Sequence, residues 1–152
     1  MSMEIGAELP KFKLKDQNGN NFSITDVKGK KPIVIYFYPK NFTPGCTKEA
    51  CSFRDAFQDF SDEGAIVIGI SSDSEASHKK FASKYNLPFT LLADSNKEVR
   101  KLFGVKNNLL GLLPGRETFV FDESGKLTFK FNAMGAEDHI KKALIHLKKS
   151  SV

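Results

Sequence analysis

Residues 33–60 read IVIYFYPKNFTPGCTKEACSFRDAFQDF, and they hold both cysteines of the 152-residue chain, Cys46 and Cys51. The first six, Ile33 to Tyr38, are continuously apolar and β-branched or aromatic, the pattern of a strand buried on both faces. Pro39 ends that run. From Pro44 the period changes to that of a helix. At 100° per residue, Ala50, Phe53, Phe57 and Phe60 all fall within about 40° of Cys46, which makes one apolar stripe. Gly64 is placed to close this helix at its C-cap. Ala65 to Ile70 (AIVIGI) is a second buried strand, so the segment reads as a parallel strand–helix–strand unit.

The rest of the chain extends this unit on both sides. Upstream, strand-like pieces at Phe12–Leu14 and Asn21–Ile24 flank an Asn18-Gly19 turn, which predicts an N-terminal β-hairpin. Downstream, Ser74–Tyr85 reads as a helix with Asp73 or Ser74 as cap, and Leu87-Pro88 stops it. Phe89–Leu92 is a short strand. Ser95 to Glu98 has capping-box spacing and opens a helix that ends at Gly104. After a glycine-punctuated loop from Val105 to Gly115, Thr118–Phe121 and Leu127–Phe131 form an antiparallel hairpin. A last amphipathic helix, Glu137–Lys149, sets Ile140, Ala143, Leu144 and Leu147 against a lysine-bearing side. Neither repeat nor linker interrupts the chain, so residues 1–152 are expected to form one α/β domain. The expected architecture is thioredoxin-like, a central mixed sheet flanked by helices.

Composition narrows the function classes. With 40% hydrophobic and 27% charged residues, 14 Phe and no Trp, the chain is globular, with a core built largely on phenylalanine. Its net charge of +5 comes from 23 basic and 18 acidic residues scattered along the chain. The one basic cluster, Lys141, Lys142, Lys148 and Lys149, falls on the last helix, so no nucleic-acid partner is expected. The N-terminus lacks the pattern of a secretory signal, and no apolar run approaches the roughly 20 residues that span a membrane. A soluble cytoplasmic protein is the expectation, or an organellar one if a transit peptide has been trimmed. In a reducing compartment a standing disulfide is uncommon, so two cysteines five apart point to redox or catalytic work.

With Thr43 as N-cap, Pro44 takes N1, where a missing N–H is harmless, and Gly45 and Cys46 become N2 and N3. Orphan N–H groups and the helix dipole there favour a thiolate, and such sites lower cysteines from about 8.5 toward roughly 4 to 7. In one continuous helix the two cysteine Cα atoms stand about 7.5 Å apart along the axis and 140° around it, roughly 8 to 9 Å in space. A disulfide tolerates about 7 Å. Either the cysteines never pair, or the first turns must unwind for them to do so. Zinc is a poor fit, because the three histidines are remote and lack paired ligand spacing.

The run Pro39 to Cys46 (PKNFTPGC) matches the pattern of Pro, three residues, Thr, two residues, Cys found in peroxiredoxins. CTKEAC, residues 46–51, resembles the bacterioferritin-comigratory-protein or Q-type subgroup, as do SHKKF at 77–81, YNLPF at 85–89 and LLPGRETFVFD at 112–122. The resemblance implies that Cys46 is the peroxidatic thiolate, which attacks a hydroperoxide and becomes a sulfenic acid. It implies that Thr43 orients the peroxide beside backbone N–H groups at the helix start, those of Gly45 and Cys46. It makes Arg116 the fixed charge that supports the thiolate and the breaking O–O bond, and Pro39 a shield over the sulfur. Cys51 is implied as the resolving thiol, forming a Cys46–Cys51 disulfide that thioredoxin or a similar dithiol reduces. The subgroup calls for no cofactor and is often monomeric, and no apolar terminal segment here demands a partner.

Other chemistries are less well served. A cysteine hydrolase would pair Cys46 with His78, His139 or His146, but all three lie on polar-rich stretches and are expected to be solvated. A dithiol oxidoreductase would need C-x-x-C, which is absent. A redox sensor using the same two cysteines as a switch is separated from an enzyme by turnover.

Overall fold

A computed structural model describes residues 3–105, 115–132 and 136–150. The elements run β1 (Lys13–Asp16), β2 (Asn21–Ser23), a 3-10 turn (Ile24–Asp26), β3 (Ile33–Phe37), α1 (Pro44–Asp55), α2 (Phe57–Asp62), β4 (Ile66–Ser71), α3 (Glu75–Tyr85), β5 (Thr90–Ala93), α4 (Glu98–Phe103), β6 (Glu117–Phe121), β7 (Leu127–Asn132) and α5 (Ala136–Ser150). Most of the expected loop from Val105 to Gly115 lies outside the described residues.

The strands make one mixed sheet in the order β2-β1-β5-β4-β3-β6-β7. β3, β4 and β5 are parallel, paired Ile33↔Ile66 through Phe37↔Ile70 and Ile68↔Thr90 through Ser71↔Ala93. The N-terminal hairpin β1–β2 and the hairpin β6–β7 add antiparallel edges. β3 is fully buried along its length, as a central strand covered on both faces must be.

Alternation along the strands sorts the core into two layers. Val34, Tyr36, Val67, Leu91 and Val120 face α1, α2, α3 and α5, meeting Ala50, Phe53, Phe60, Phe81, Ile140, Ala143 and Leu147. Ile33, Ile35, Phe37, Ile68, Ile70, Leu92, Phe119 and Phe121 face the other way, toward α4 and the N-terminal segment. On that second face Phe103 packs its ring against Phe37, Phe119 and Phe121 at 5.0 to 6.0 Å. On the first, Tyr36 stacks on Phe53 at 4.5 Å, and Gly69 makes this possible, because a Cβ there would meet Tyr36 and Leu91 at 2.8 to 2.9 Å.

Local details depart from the sequence reading in two places, the break in the first helix and the cap of α4, and decide between two cap candidates in a third. The helix expected to run unbroken to Gly64 is two helices, divided at Ala56, whose ψ of 4° leaves the helical region. Phe53 and Phe60 remain fully buried across the break while Phe57 is only half-buried. Gly64, at φ +73°, does terminate α2. At α4 the cap is Asp94 and not Ser95: its carboxylate accepts the backbone N–H groups of Val99 and Arg100 at 3.1 and 2.8 Å, and Lys97 takes up a left-handed conformation to allow it. At α3 Ser74 is the cap, accepting from Ser77 N at 3.1 Å, while Asp73 is used elsewhere.

Candidate active site

Cys46 is the third residue of α1 and is buried, at 1% exposure. Pro44 occupies N1, and the first turn is closed by Thr47 N donating to Thr43 O at 2.9 Å. Thr43 has the extended backbone of an N-cap, but its side chain does not cap; Oγ1 donates to Lys40 O at 2.8 Å. That bond holds the hydroxyl at the mouth of the helix instead of over its N–H groups, and leaves its lone pairs open. Pro39 follows β3 and is half-buried; Gly45 is exposed.

The sheet delivers the cation. β6 pairs antiparallel with β3, Thr118 opposite Tyr36 and Glu117 opposite Phe37. With alternating side chains, Arg116, Thr118 and Val120 all point to the α1 and α5 face. Arg116 is 3% exposed, and its Nη2 donates to Cys46 Sγ at 3.4 Å. Its Nη1 donates to Glu49 Oε1. Burial works against the Arg116 charge, but Glu49 and Cys46 beside it prevail and hold its pKa above the ordinary arginine value. Gly45 makes room for this fork, since a Cβ there would sit 3.1 Å from Nη2.

Glu49 was not singled out by the sequence reading, although the signal existed: it lies three residues after Cys46 on the stripe that faces the core. It is fully buried, and burial pushes its pKa up to about 7, with Arg116 pulling the other way. His139, on α5, is also fully buried, with Nδ1 3.9 Å from Glu49 Oε2 and 2.7 Å from Thr118 Oγ1.

The expectation that the histidines are solvated is therefore wrong for two of the three. His78 is fully buried on the inner side of α3. Its Nε2 lies 3.0 Å from Leu92 O, a carbonyl that can only accept, so Nε2 carries the proton and Nδ1 accepts from Asn41 Nδ2 at 2.9 Å. Burial holds His78 below its ordinary pKa. His146 is half-buried, with Nε2 2.9 Å from Thr128 Oγ1. None of these contacts pairs a histidine with Cys46.

Asn41 ties the motif loop to α3. Its N–H donates to Asp73 Oδ2 at 2.9 Å, its Oδ1 accepts from Tyr38 Oη at 2.6 Å, and its Nδ2 also reaches Ser77 Oγ at 3.1 Å. The next residue, Phe42, is left-handed at φ +66°, a costly conformation for an aromatic, and its half-exposed ring packs edge-on to Phe81 at 5.1 Å. The strain is held by anchors on both sides.

Cys51 is half-buried, and neither cysteine is bonded. Both stand in the one helix α1, so the separation expected of helical geometry applies. A cavity of about 320 Å³ lined by Pro32, Asp122, Ser124 and His146 lies at the opposite end of β3 and β6 and has no part in this arrangement.

Comparison with known proteins agrees with this geometry. The model of the AhpC/TSA family matches residues 5–130. The chain is 51% identical over 140 residues to the chloroplastic peroxiredoxin Q of Gentiana triflora, covering 91% of this chain and 64% of that protein. It thus spans about two thirds of the length of such curated relatives, which carry 64% to 75% coverage in several plants. Among solved structures, peroxidoxin BcpB of Mycobacterium tuberculosis superposes with a TM-score of 0.88 at 38% identity, over 97% of both chains. The bacterioferritin comigratory protein of Xanthomonas campestris, studied for alkyl peroxide reduction, superposes at 0.87 with 28% identity, over 98% of this chain and all of that one.

Proposed function

The chain belongs to the AhpC/TSA family, on its peroxiredoxin Q branch, and from that membership we propose that it is a thiol-dependent peroxidase. One observation carries the residue assignment: the Arg116 guanidinium donates to Cys46 Sγ at the first turn of α1. The sulfur thus faces a fixed cation at a helix N-terminus, the placement that a nucleophilic cysteine uses.

Cys46 attacks the terminal oxygen of a hydroperoxide. The S–O bond forms, the O–O bond breaks, and the leaving oxygen takes up a proton to depart as water or alcohol. Thr43, its proton committed to Lys40 O, accepts from the peroxide, and the N–H groups of Gly45 and Cys46 flank the reacting oxygens. Arg116 stabilises the charge that develops on them. Pro39 covers one side of the sulfur. The Cys51 thiol then displaces water from the sulfenic acid to give the Cys46–Cys51 disulfide. Because both cysteines lie in α1, the segment from Thr43 to Cys51 unwinds for this step. Thioredoxin or a similar dithiol returns both thiols.

The protein acts as one domain over residues 1–152 and as a monomer, without cofactor, nucleic acid or membrane. Among the described residues no helix is long and apolar enough to cross a membrane. The Gentiana triflora relative is chloroplastic, and an organellar site is the alternative to the cytoplasm. Steady-state turnover with thioredoxin, using hydrogen peroxide and an alkyl hydroperoxide, tests the assignment. Cys46→Ser is expected to abolish it; rapid turnover in that variant overturns the reading.

A further inference from the structure

Glu49 and His139 come from different helices, α1 and α5, and neither has any exposed surface. Glu49 Oε1 is taken by Arg116, whereas Oε2 is buried without a hydrogen-bond partner among the described residues, and His139 Nδ1 stands 3.9 Å from it. The titratable groups around Glu49 are Arg116 at the start of β6, His139 on α5, Cys46 on α1 itself, Tyr38 just after β3 and Tyr36 on β3, whose buried hydroxyl has no hydrogen-bond partner among the described residues. Thr118 Oγ1, 2.7 Å from His139 Nδ1, is a hydroxyl: it donates to a bare Nδ1 and accepts from a protonated one. His139 is thus hydrogen-bonded in either state.

Counting charges shows what such a pair does. With Cys46 and Glu49 both ionised, Arg116 faces two anions, and the buried group carries one net negative charge. One proton anywhere on Glu49 or His139 removes it. We propose that His139 is a positioning residue for the peroxidatic site, sharing one proton with Glu49 so that Arg116 is released to the Cys46 sulfur. Glu49 is already poised for this, since burial brings it to about 7. Oxidation closes the cycle of charge. Cys46–S⁻ plus ROOH plus one proton yields Cys46–SOH plus ROH; the sulfur becomes neutral, Arg116 turns wholly to Glu49, and the shared proton leaves for solvent. The net count matches the proton that the departing alkoxide takes up.

This rests on Cys46 being the peroxidatic thiol. The test is the rate of the first oxidation by peroxide, followed by stopped flow from pH 5 to 9, in wild type, His139→Asn and Glu49→Gln. Asparagine keeps a hydrogen-bonding group near Nδ1 for Thr118 but takes no proton. We expect His139→Asn to lose about tenfold at pH 8 and little at pH 5, equivalent to one unit in the proton affinity of the pair, and Glu49→Gln to lose the inflection near pH 7. A His139→Asn rate within twofold of wild type throughout, or lowered equally at pH 5 and pH 8, overturns the proposal. Should that variant not fold, nitrogen NMR of His139 in Cys51→Ser, reduced and after one equivalent of peroxide, decides. A titration midpoint that moves by half a unit or more supports the pair, and an unmoved one overturns it. Peroxide consumption independent of Cys46 would instead remove Cys46 as the peroxidatic thiol, the premise of the proposal.

Discussion

Arg116 holds Cys46 and Glu49 with the two arms of one guanidinium, Nη2 on the sulfur at 3.4 Å and Nη1 on the carboxylate. A planar fork does this and a point charge does not. Arg116→Lys is expected to keep a positive charge and the fold yet lose about 100-fold in the rate of peroxide attack, the scale seen when one preorganised donor is removed. Stopped-flow oxidation measures it, and a loss under fivefold would show that charge alone suffices.

Cys51→Ser should be oxidised once and then fail to turn over with thioredoxin. In the wild type, the amides of residues 43–54 should lose hydrogen-exchange protection when the disulfide forms. Equal protection in both redox states would mean that the cysteines pair without unwinding α1, contrary to their placement in one helix.

Gly45→Ala separates geometry from stability. The new Cβ would lie 3.1 Å from Arg116 Nη2, so the guanidinium must give way by a few tenths of an ångström. Alanine at this helical position also favours α1 by up to about 1 kcal/mol. The expected result is a protein at least as resistant to urea, with slower peroxide attack and slower disulfide formation. A variant that is faster in both steps would contradict the placement of Arg116.

Much of this was legible in the sequence, but not uniformly. β3 was readable because Ile33 to Tyr38 are apolar without a break, as a strand covered on both faces requires, and the start of α1 because Pro44 suits the first helical position after the extended Thr43. Arg116 was reachable only through resemblance, since a lone arginine after a glycine has no periodicity to place it; the β3–β6 register does that. His78 and His139 misled because polar residues crowd them in sequence, Ser77 and Lys79 around the one and Asp138, Lys141 and Lys142 near the other. Their burial is decided by Leu92 and Thr118 on strands far away in the chain. The break at Ala56 follows from no residue type in its vicinity.

Glu49 gives stability a pH dependence of unusual sign for a carboxylate. Its folded pKa, about 7, exceeds the ordinary 4.5, so the folded state binds more protons across that window. Stability present below 4.5 is lost as the pH rises through 7, by roughly 3 kcal/mol for this group alone. Urea unfolding between pH 5 and 8 should show wild type losing ground to Glu49→Gln by about 2 to 3 kcal/mol. A constant difference between the two would contradict the raised value.

Asn41→Ala should cost about 2 to 3 kcal/mol, because it strips partners from buried His78 and Tyr38. His78 has the opposite linkage to Glu49: its folded pKa is depressed, so the unfolded chain binds more protons just below 6.5 and wild type weakens as pH falls from there. Acid unfolding curves of Asn41→Ala and wild type that coincide would show that the Asn41 network carries no weight.

The discontinuity at Ala56 bears on time. α1 has 12 residues, about three turns, and α2 beyond the break is closed by its own bonds, Ala65 N to Phe60 O among them. Unwinding that begins at Thr43 therefore meets a natural stop, and Phe60 and β4 stay in place. Segments of this length relax in about a microsecond as isolated helices, whereas thiol exchange takes seconds or longer without a catalyst. In the folded protein, unwinding α1 also has to lift buried Cys46, Glu49 and Ala50 off the sheet, so it is slower than the relaxation of an isolated helix of that length.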